Sequence, residues 1–251
     1  IAIGSYSGAI LGKMMNGLPG LFAGMAVGVV ISVIVAFLVG LPTLRLKGDY
    51  LAIATLGVAE IIRVAVTNMK ITNGAAGISG VPLTNTWTIT YIALVVTTIL
   101  ILNYTFSSAG RATYAVLQDE IAAESMGVQV TKYKILAFVL GAATASIGGT
   151  LSATTLGAVT PSDFTFMKSI DVLIIVVFGG IGSFTGSFVA AVLLGIINLV
   201  LQPFGQLRMI IYAVALILIM IFRPGGLLGT WEFKLGDFKF SKKKETKESG
   251  K

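Results

Sequence analysis

Four stretches of this 251-residue chain carry no charged side chain: Met14 to Leu44, Ile71 to Gly110, Ile135 to Ser162 and Val172 to Leu207. A bilayer core is crossed by roughly 20 apolar residues in a helix. Each stretch therefore holds at least one crossing, and the longest hold two, or a crossing with its loops. Without water, a backbone satisfies its hydrogen bonds only within helices or a closed barrel. A barrel is written as short segments of alternating polarity, and these stretches do not alternate. The expected fold is all-α, a polytopic transmembrane helical bundle. Charged residues make up 12% of the chain, about half the roughly 25% usual in soluble domains.

Hydropathy and helix breakers place crossings at 1–14 (short for a span), 20–41, 50–68, 89–106, 135–157, 170–183, 186–202 and 206–222. Alternation along these eight segments gathers Arg45, Lys47, the polar stretch Gly110–Lys134 and the turn near Ser183 on the side of the C-terminal tail. That side holds 13 basic residues, against four (Lys13, Lys70, Lys168, Arg208) on the other. The positive-inside rule makes it the cytoplasmic side, with the chain in the inner or cytoplasmic membrane. Residues 1–230 form the membrane domain and 231–251 a basic tail. Its seven lysines, from Lys234 to Lys251, suit a solvated segment beside anionic lipid and do not imply nucleic acid. No initiator Met or basic leader precedes the first apolar stretch, so Ile1 reads as the start of a fragment or of the ordered part of a longer chain.

Small residues recur every four positions at Gly20, Gly24, Gly28, Ser32, Ala36 and Gly40, and again at Gly141, Ala145, Gly149, Ala153 and Gly157. Such stripes let helix backbones approach where no hydrophobic effect draws helices together. They predict close packing without naming an activity. The chain has no Cys and no His, which removes disulfides, thiolate and imidazole chemistry and the usual zinc ligands. Gly180-Ile181-Gly182-Ser183-Phe184-Thr185-Gly186 looks superficially like a dinucleotide fingerprint. No acidic residue follows it before Glu232, where a ribose partner is needed about 20 positions on. It reads as a tight turn between helices. No phosphate-binding loop of the ATPase type is present, so no ATP hydrolysis and no bound cofactor is expected of this chain.

Three polar features remain. Glu60 and Arg63, three apart in an apolar helix, share a face; they either neutralise each other as a helix lock or line a translocation path. The run Asn73 to Pro82, with Gly74, Gly77 and Gly80, is an external connector or a contact for a ligand or partner. Asp163, Lys168 and Asp171 read as interfacial charges. The longest interruption, Gly110–Lys134, favours helix up to Gly127, which suits a helix-terminating position. Val116, Leu117, Ile121, Ala123 and Gly127 would form a narrow apolar face, with Arg111, Asp119, Glu120 and Glu124 on the other sides. Interfacial helices are usually Lys/Arg-rich. Three acids within six residues point instead to a protein partner.

Leu41-Pro42-Thr43-Leu44-Arg45-Leu46-Lys47-Gly48-Asp49-Tyr50-Leu51 through Gly57, with Glu60-Ile61-Ile62-Arg63, resembles the permease subunits of branched-chain amino acid ABC importers, the LivM-like group. So do the Asn73–Pro82 loop, the Gly110-Arg111 to Gly127 segment, Phe178–Ser187 and Phe222–Gly229. The motifs cover nearly all of the chain to about residue 230, in the family's order. The resemblance implies a permease that pairs with a second, homologous permease, with ABC ATPase subunits that carry ATP and Mg, and with an extracytoplasmic solute-binding protein. It places Glu120, Ala122, Ala123, Glu124 and Gly127, with Arg111 and Asp119 beside them, on a cytoplasmic coupling-helix loop (108–134) that docks on the ATPase. The chain has Glu-Ile-Ala-Ala where importers in general have Glu-Ala-Ala. Further membrane helices ahead of Ile1 are also implied. The residues alone leave open a permease for another small solute (other amino acids, urea, short amides) or a structural membrane subunit. A membrane enzyme lacks any His, Cys or acidic cluster to work with.

Overall fold

The computed structural model describes residues 1–15, 17–46, 48–180 and 182–201, with Ile211 and Val214. Those two residues apart, the expected crossing at 206–222 lies outside the described residues. So do the Phe222–Gly229 motif, the basic tail, Lys47, Ile181 and Arg208. Among the described residues the elements are α1 (Ala2–Met14), α2 (Leu18–Thr43), α3 (Asp49–Asn68), β1 (Ile78–Ser79), α4 (Trp87–Phe106), α5 (Ser108–Gln118), α6 (Glu120–Ser125), α7 (Val130–Leu156), β2 (Ala158–Val159), α8 (Phe166–Gly179) and α9 (Phe184–Leu201). The fold is all-α apart from the two-residue strands. α2, α3, α4, α7 and α9 are long and apolar enough to cross a bilayer. The crossings expected at 1–14 and 170–183 fall on helices of 13 and 14 residues. At 1.5 Å per residue these reach roughly 20 Å, short of the roughly 30 Å core.

The chain divides into two units, residues 1–168 and 169–251. The first is organised around α1, α2 and α7. The expected stripe on α2 is buried along its whole length, from Gly20 through Gly24, Gly28, Ser32 and Ala36 to Gly40. A period of four advances about 40° per step on a helix of 3.6 residues per turn, so the stripe winds around α2 and serves two neighbours in turn. A Cβ on Gly24 would lie 2.8 Å from Gly8 Cα of α1. Gly28 faces Gly4 and Ser146, where α1 and α7 meet, and Gly40 faces Phe138 of α7. These pairings run α2 antiparallel to both partners.

On α7 the buried line differs from the expected one. Ser146, Gly149, Thr150, Ala153 and Thr154 are buried, whereas a Cβ on Gly141 would meet nothing within 4 Å. Gly157 ends the helix instead of packing inside it. Small hydroxyl residues take the place of glycine here, and that of Thr150 bonds across the interface. Thr150 Oγ1 donates to the Gly4 carbonyl at 2.9 Å and Ser5 Oγ to the Gly149 carbonyl at 2.9 Å. Ser7 Oγ donates to the Gly24 carbonyl at 3.1 Å. Three helices are thus joined backbone to backbone, with hydroxyls bridging them.

At one end of this unit β1 pairs antiparallel with β2, Ile78 opposite Val159. Ile78, Val81 and Val159 bury with Tyr6, Ala9 and Ala153, so the loops after α3 and α7 close over the end of α1. At the other end, the α2–α3 connection faces α5, α6 and the start of α7 across a cleft that Leu44 and Leu51 help to line. Arg45 and the polar stretch therefore share one end of the unit, and the two paired loops lie at the opposite end.

The second unit, as far as it is described, is a helical hairpin. Gly179 and Gly186 approach backbone to backbone, Ser183 Oγ accepts the Gly186 N–H at 3.0 Å, and Phe178 packs with Ala190 and Leu194. The glycine-rich run is a tight turn between α8 and α9, and lacks the strand a dinucleotide site requires.

An alanine methyl at Gly24 has only backbone to displace, and overpacking of this kind costs about 1–3 kcal/mol. In detergent-solubilised protein, Gly24→Ala should lower the thermal transition. Gly57→Ala on α3, where a Cβ meets nothing within 4 Å, should leave the transition unchanged or raise it. Equal effects at the two positions would contradict the packing described.

Candidate functional site

The polar stretch folds as two helices, not the single one its composition suggested. The break is Asp119, whose extended backbone (φ −155°, ψ 114°) lets its carboxylate accept the N–H groups of Ile121 (2.8 Å) and Ala122 (3.1 Å). An aspartate in a helix-forming run competes for backbone donors in this way and favours a cap. Upstream, Ser107 caps α5 by accepting the Gly110 N–H at 3.1 Å. Gly110 is buried where a side chain would strike the Tyr104 and Thr105 carbonyls. Tyr104 Oη and Thr113 Oγ1, 2.6 Å apart, tie α4 to α5. Arg111 Nη1 donates to the Phe106 carbonyl at 3.0 Å. It therefore braces the end of α4.

α6 ends in a Schellman turn: Val128 N–H bonds the Ala123 carbonyl at 3.0 Å and Gly127 N–H the Glu124 carbonyl at 2.9 Å. Gly127 sits at φ 82°, left-handed backbone that side chains disfavour. The turn leads the chain into α7. Lys134 on the first turns of α7 pairs with Glu120, and Ala123 is buried beneath α6.

The apolar residues do not share one face. Val116 and Ala123 point inward and are buried, whereas Leu117, Ile121 and Met126 are exposed, the last two at 75% and 84%. Ala122 and Glu124 are exposed beside them. The break at Asp119 rotates α6 relative to α5, which divides the expected face into an inner anchor and an outer patch. Lys134 and Met126 escaped the sequence reading. Nothing local links Lys134 to a residue 14 positions earlier, but Met126, a large apolar side chain directly before a terminating glycine, was a usable signal.

Glu60 and Arg63 are brought together on α3, away from the polar module. Of the external glycine run, Asn73 adopts a left-handed backbone (φ 61°) and its Nδ2 donates to the Gly77 carbonyl at 2.9 Å. Gly77 is buried where a Cβ would overlap the Val159 carbonyl, so it serves the β1–β2 closure. Gly74 is half-buried; Asn73 and Gly80 remain exposed. Asp163 Oδ2 accepts from Thr160 N–H (3.0 Å) and Oγ1 (2.7 Å), capping a short 3₁₀ turn. Among the described residues no group of His, Cys, Asp and Glu could hold a metal ion.

A family model described as "Branched-chain amino acid transport system / permease component" matches residues 1–222. The permease protein LivM of the high-affinity branched-chain amino acid transport system of Salmonella typhimurium is 36% identical over 90% of this chain and 61% of its own length. LivM of Escherichia coli K12 is 35% identical over the same shares. The permease protein LivH of E. coli K12 is 30% identical over 57% of this chain and 46% of its own. The chain thus spans about 61% of the length of the two LivM relatives. No solved structure matches it. The chain is a multi-pass membrane protein that belongs to the family of permease components of branched-chain amino acid transport systems.

Proposed function

We propose that this chain is one of two related permeases of an ATP-binding-cassette importer that moves branched-chain amino acids into the cell, powered by separate ATPase subunits. The observation that carries this reading is the outer patch of α6: Ile121, Ala122, Glu124 and Met126 exposed over a buried Ala123. An apolar pair flanked by acids suits a groove on a protein better than a lipid surface, whose peripheral helices are basic. ATP and Mg act on the ATPase subunits, which makes the module cytoplasmic. The second permease completes the assembly within the lipid, and an extracytoplasmic binding protein completes it outside the membrane. Substrate arrives at the end closed by β1 and β2 and passes along the interface of the two permeases.

The mechanical step follows from how α6 is attached. Buried Ala123, the Schellman turn into α7 and the Glu120–Lys134 pair tie α6 to α7. α7 in turn packs backbone to backbone against α1, and meets the glycines of α2 through Ser146 and the Phe138 ring. Displacement of α6 by ATPase closure carries α7 and its neighbours with it. Nucleotide then biases two discrete arrangements of the permease pair, as coupling between sites demands.

The double variant Ile121→Asp/Met126→Asp alters only exposed side chains. ATPase co-purification and ATP-driven leucine uptake should both fall at least tenfold, with membrane insertion unchanged. Retained co-purification would remove α6 as the docking element. For the tether, Lys134→Glu should reduce coupled uptake roughly fivefold, the equivalent of about 1 kcal/mol at a partly exposed pair. The exchange Glu120→Lys/Lys134→Glu should restore uptake to within about twofold. No recovery in the exchange would deny the pair its role.

A further inference from the structure

α3 has two sides. Leu51, Thr55, Val58, Ile62 and Val66 fall at helical spacing and are partly covered, Val66 by the cluster around Tyr6 and Val159. Ile53, Gly57, Glu60, Ile61 and Val64 lie on the opposite side, exposed. Arg63 stands at the margin, and its Nε donates to both Glu60 carboxylate oxygens at 2.9 and 3.0 Å; Nη2 bonds the same group. The side chains of Arg63 and Glu60 remain 31% and 52% exposed. They are the fifteenth and twelfth residues of a 20-residue span, which at 1.5 Å per residue puts Glu60 roughly 17 Å and Arg63 roughly 21 Å along a length of roughly 30 Å, the first close to mid-depth and the second about a turn and a half from the helix end.

Charges at that depth are costly against hydrocarbon and belong where water or another charge meets them. A lock between helices of the first unit needs the pair to face that unit's body, and among the described residues of that unit it faces away. The fork of Arg63 engages Glu60 by one edge, so Nη1 points elsewhere and the carboxylate keeps further lone pairs. One anion and one cation, side by side and open, complement the adjacent ammonium and carboxylate of a zwitterion. Gly57, one turn earlier, has nothing within 4 Å of where a Cβ would stand. It leaves space between Ile53, Ile61 and Val64 for an apolar side chain.

We propose that Glu60 and Arg63 form a transit contact for the main-chain ammonium and carboxylate of a zwitterionic amino acid, with the exposed apolar residues around Gly57 receiving its side chain. This rests on the transport reading above. It assigns the permease a substrate contact of its own, on the face of α3 that borders a water-filled path.

The test uses the importer assembled with its second permease, ATPases and binding protein in proteoliposomes. Glu60→Gln, Arg63→Gln and the apolar double variant Glu60→Leu/Arg63→Met should each lower leucine uptake at least tenfold, while the complex still co-purifies and leucine-loaded binding protein still stimulates ATP hydrolysis. Because the chain has no Cys, Val64→Cys reports water access without background. It should react with a charged, membrane-impermeant thiol reagent, and leucine-loaded binding protein should slow that reaction, whereas Val58→Cys on the covered side stays unreactive. Uptake by the apolar double variant within twofold of wild type would overturn the proposal in favour of a helix lock. So would an unreactive Val64→Cys in the assembled complex, which would mean that lipid or a partner helix covers this face. Absence of ATP-driven leucine uptake by the wild-type assembly is a separate outcome that overturns the transport reading itself.

Discussion

The contact of α1, α2 and α7 backbone to backbone is what the rest of the first unit depends on. In lipid the side chains of these helices gain little by leaving their surroundings, since acyl chains are as apolar as leucine. Association has to come from close van der Waals contact and from hydrogen bonds across the interface. Gly4, Gly8, Gly24 and Gly28 bring the backbones near enough. The hydroxyls of Ser5, Ser7 and Thr150 then reach carbonyls on neighbouring helices. Side chains on α3 and α4 are left largely uncovered, and neither helix has a buried residue.

From this rigid centre the two ends of the unit acquire different characters. At one end two loops pair through β1 and β2 and close over α1 with an apolar plug. At the other, α5 and α6 present charge and apolar patches side by side, and α6 is fastened to α7. Among the described residues α7 touches both α6 and the opposite closure. That placement gives physical content to coupling in this fold: a push on α6 meets no soft layer before it reaches the far loops.

The membrane helices were legible because bilayer thickness imposes a length that hydropathy reveals, and those of full length fall within a few residues of the expected spans. The α2 stripe was legible too, as its small residues keep one spacing throughout. Its partner on α7 was legible only at Gly149 and Ala153, because Ser146, Thr150 and Thr154 pack there as small side chains, the two threonines bonding carbonyls through their hydroxyls, a role that a search for glycine and alanine overlooks. The β1–β2 pairing joins residues about 80 positions apart and leaves no local periodicity. The polar module was read as one helix because its composition favours helix at every position. A single carboxylate turning back on its own backbone, at Asp119, outweighed that preference. For the site, the position of Gly127 was readable from turn chemistry, whereas the inward aim of Ala123 and the reach of Lys134 to Glu120 exist only once the chain is folded.

The central claim is that α6 and the helices behind it move as one block. Since the chain has no Cys, spin labels at Ser125→Cys on α6, outside the apolar patch, and Leu83→Cys near the paired loops, both exposed in the structure, report one intramolecular distance. In the assembled importer, measured nucleotide-free and with hydrolysis-blocked ATP, that distance should stay constant to within about 2 Å, while labels placed in the two permeases move relative to each other. A shift in the distance between residues 125 and 83 on ATP binding would show α6 hinging independently of α7, and would contradict the account.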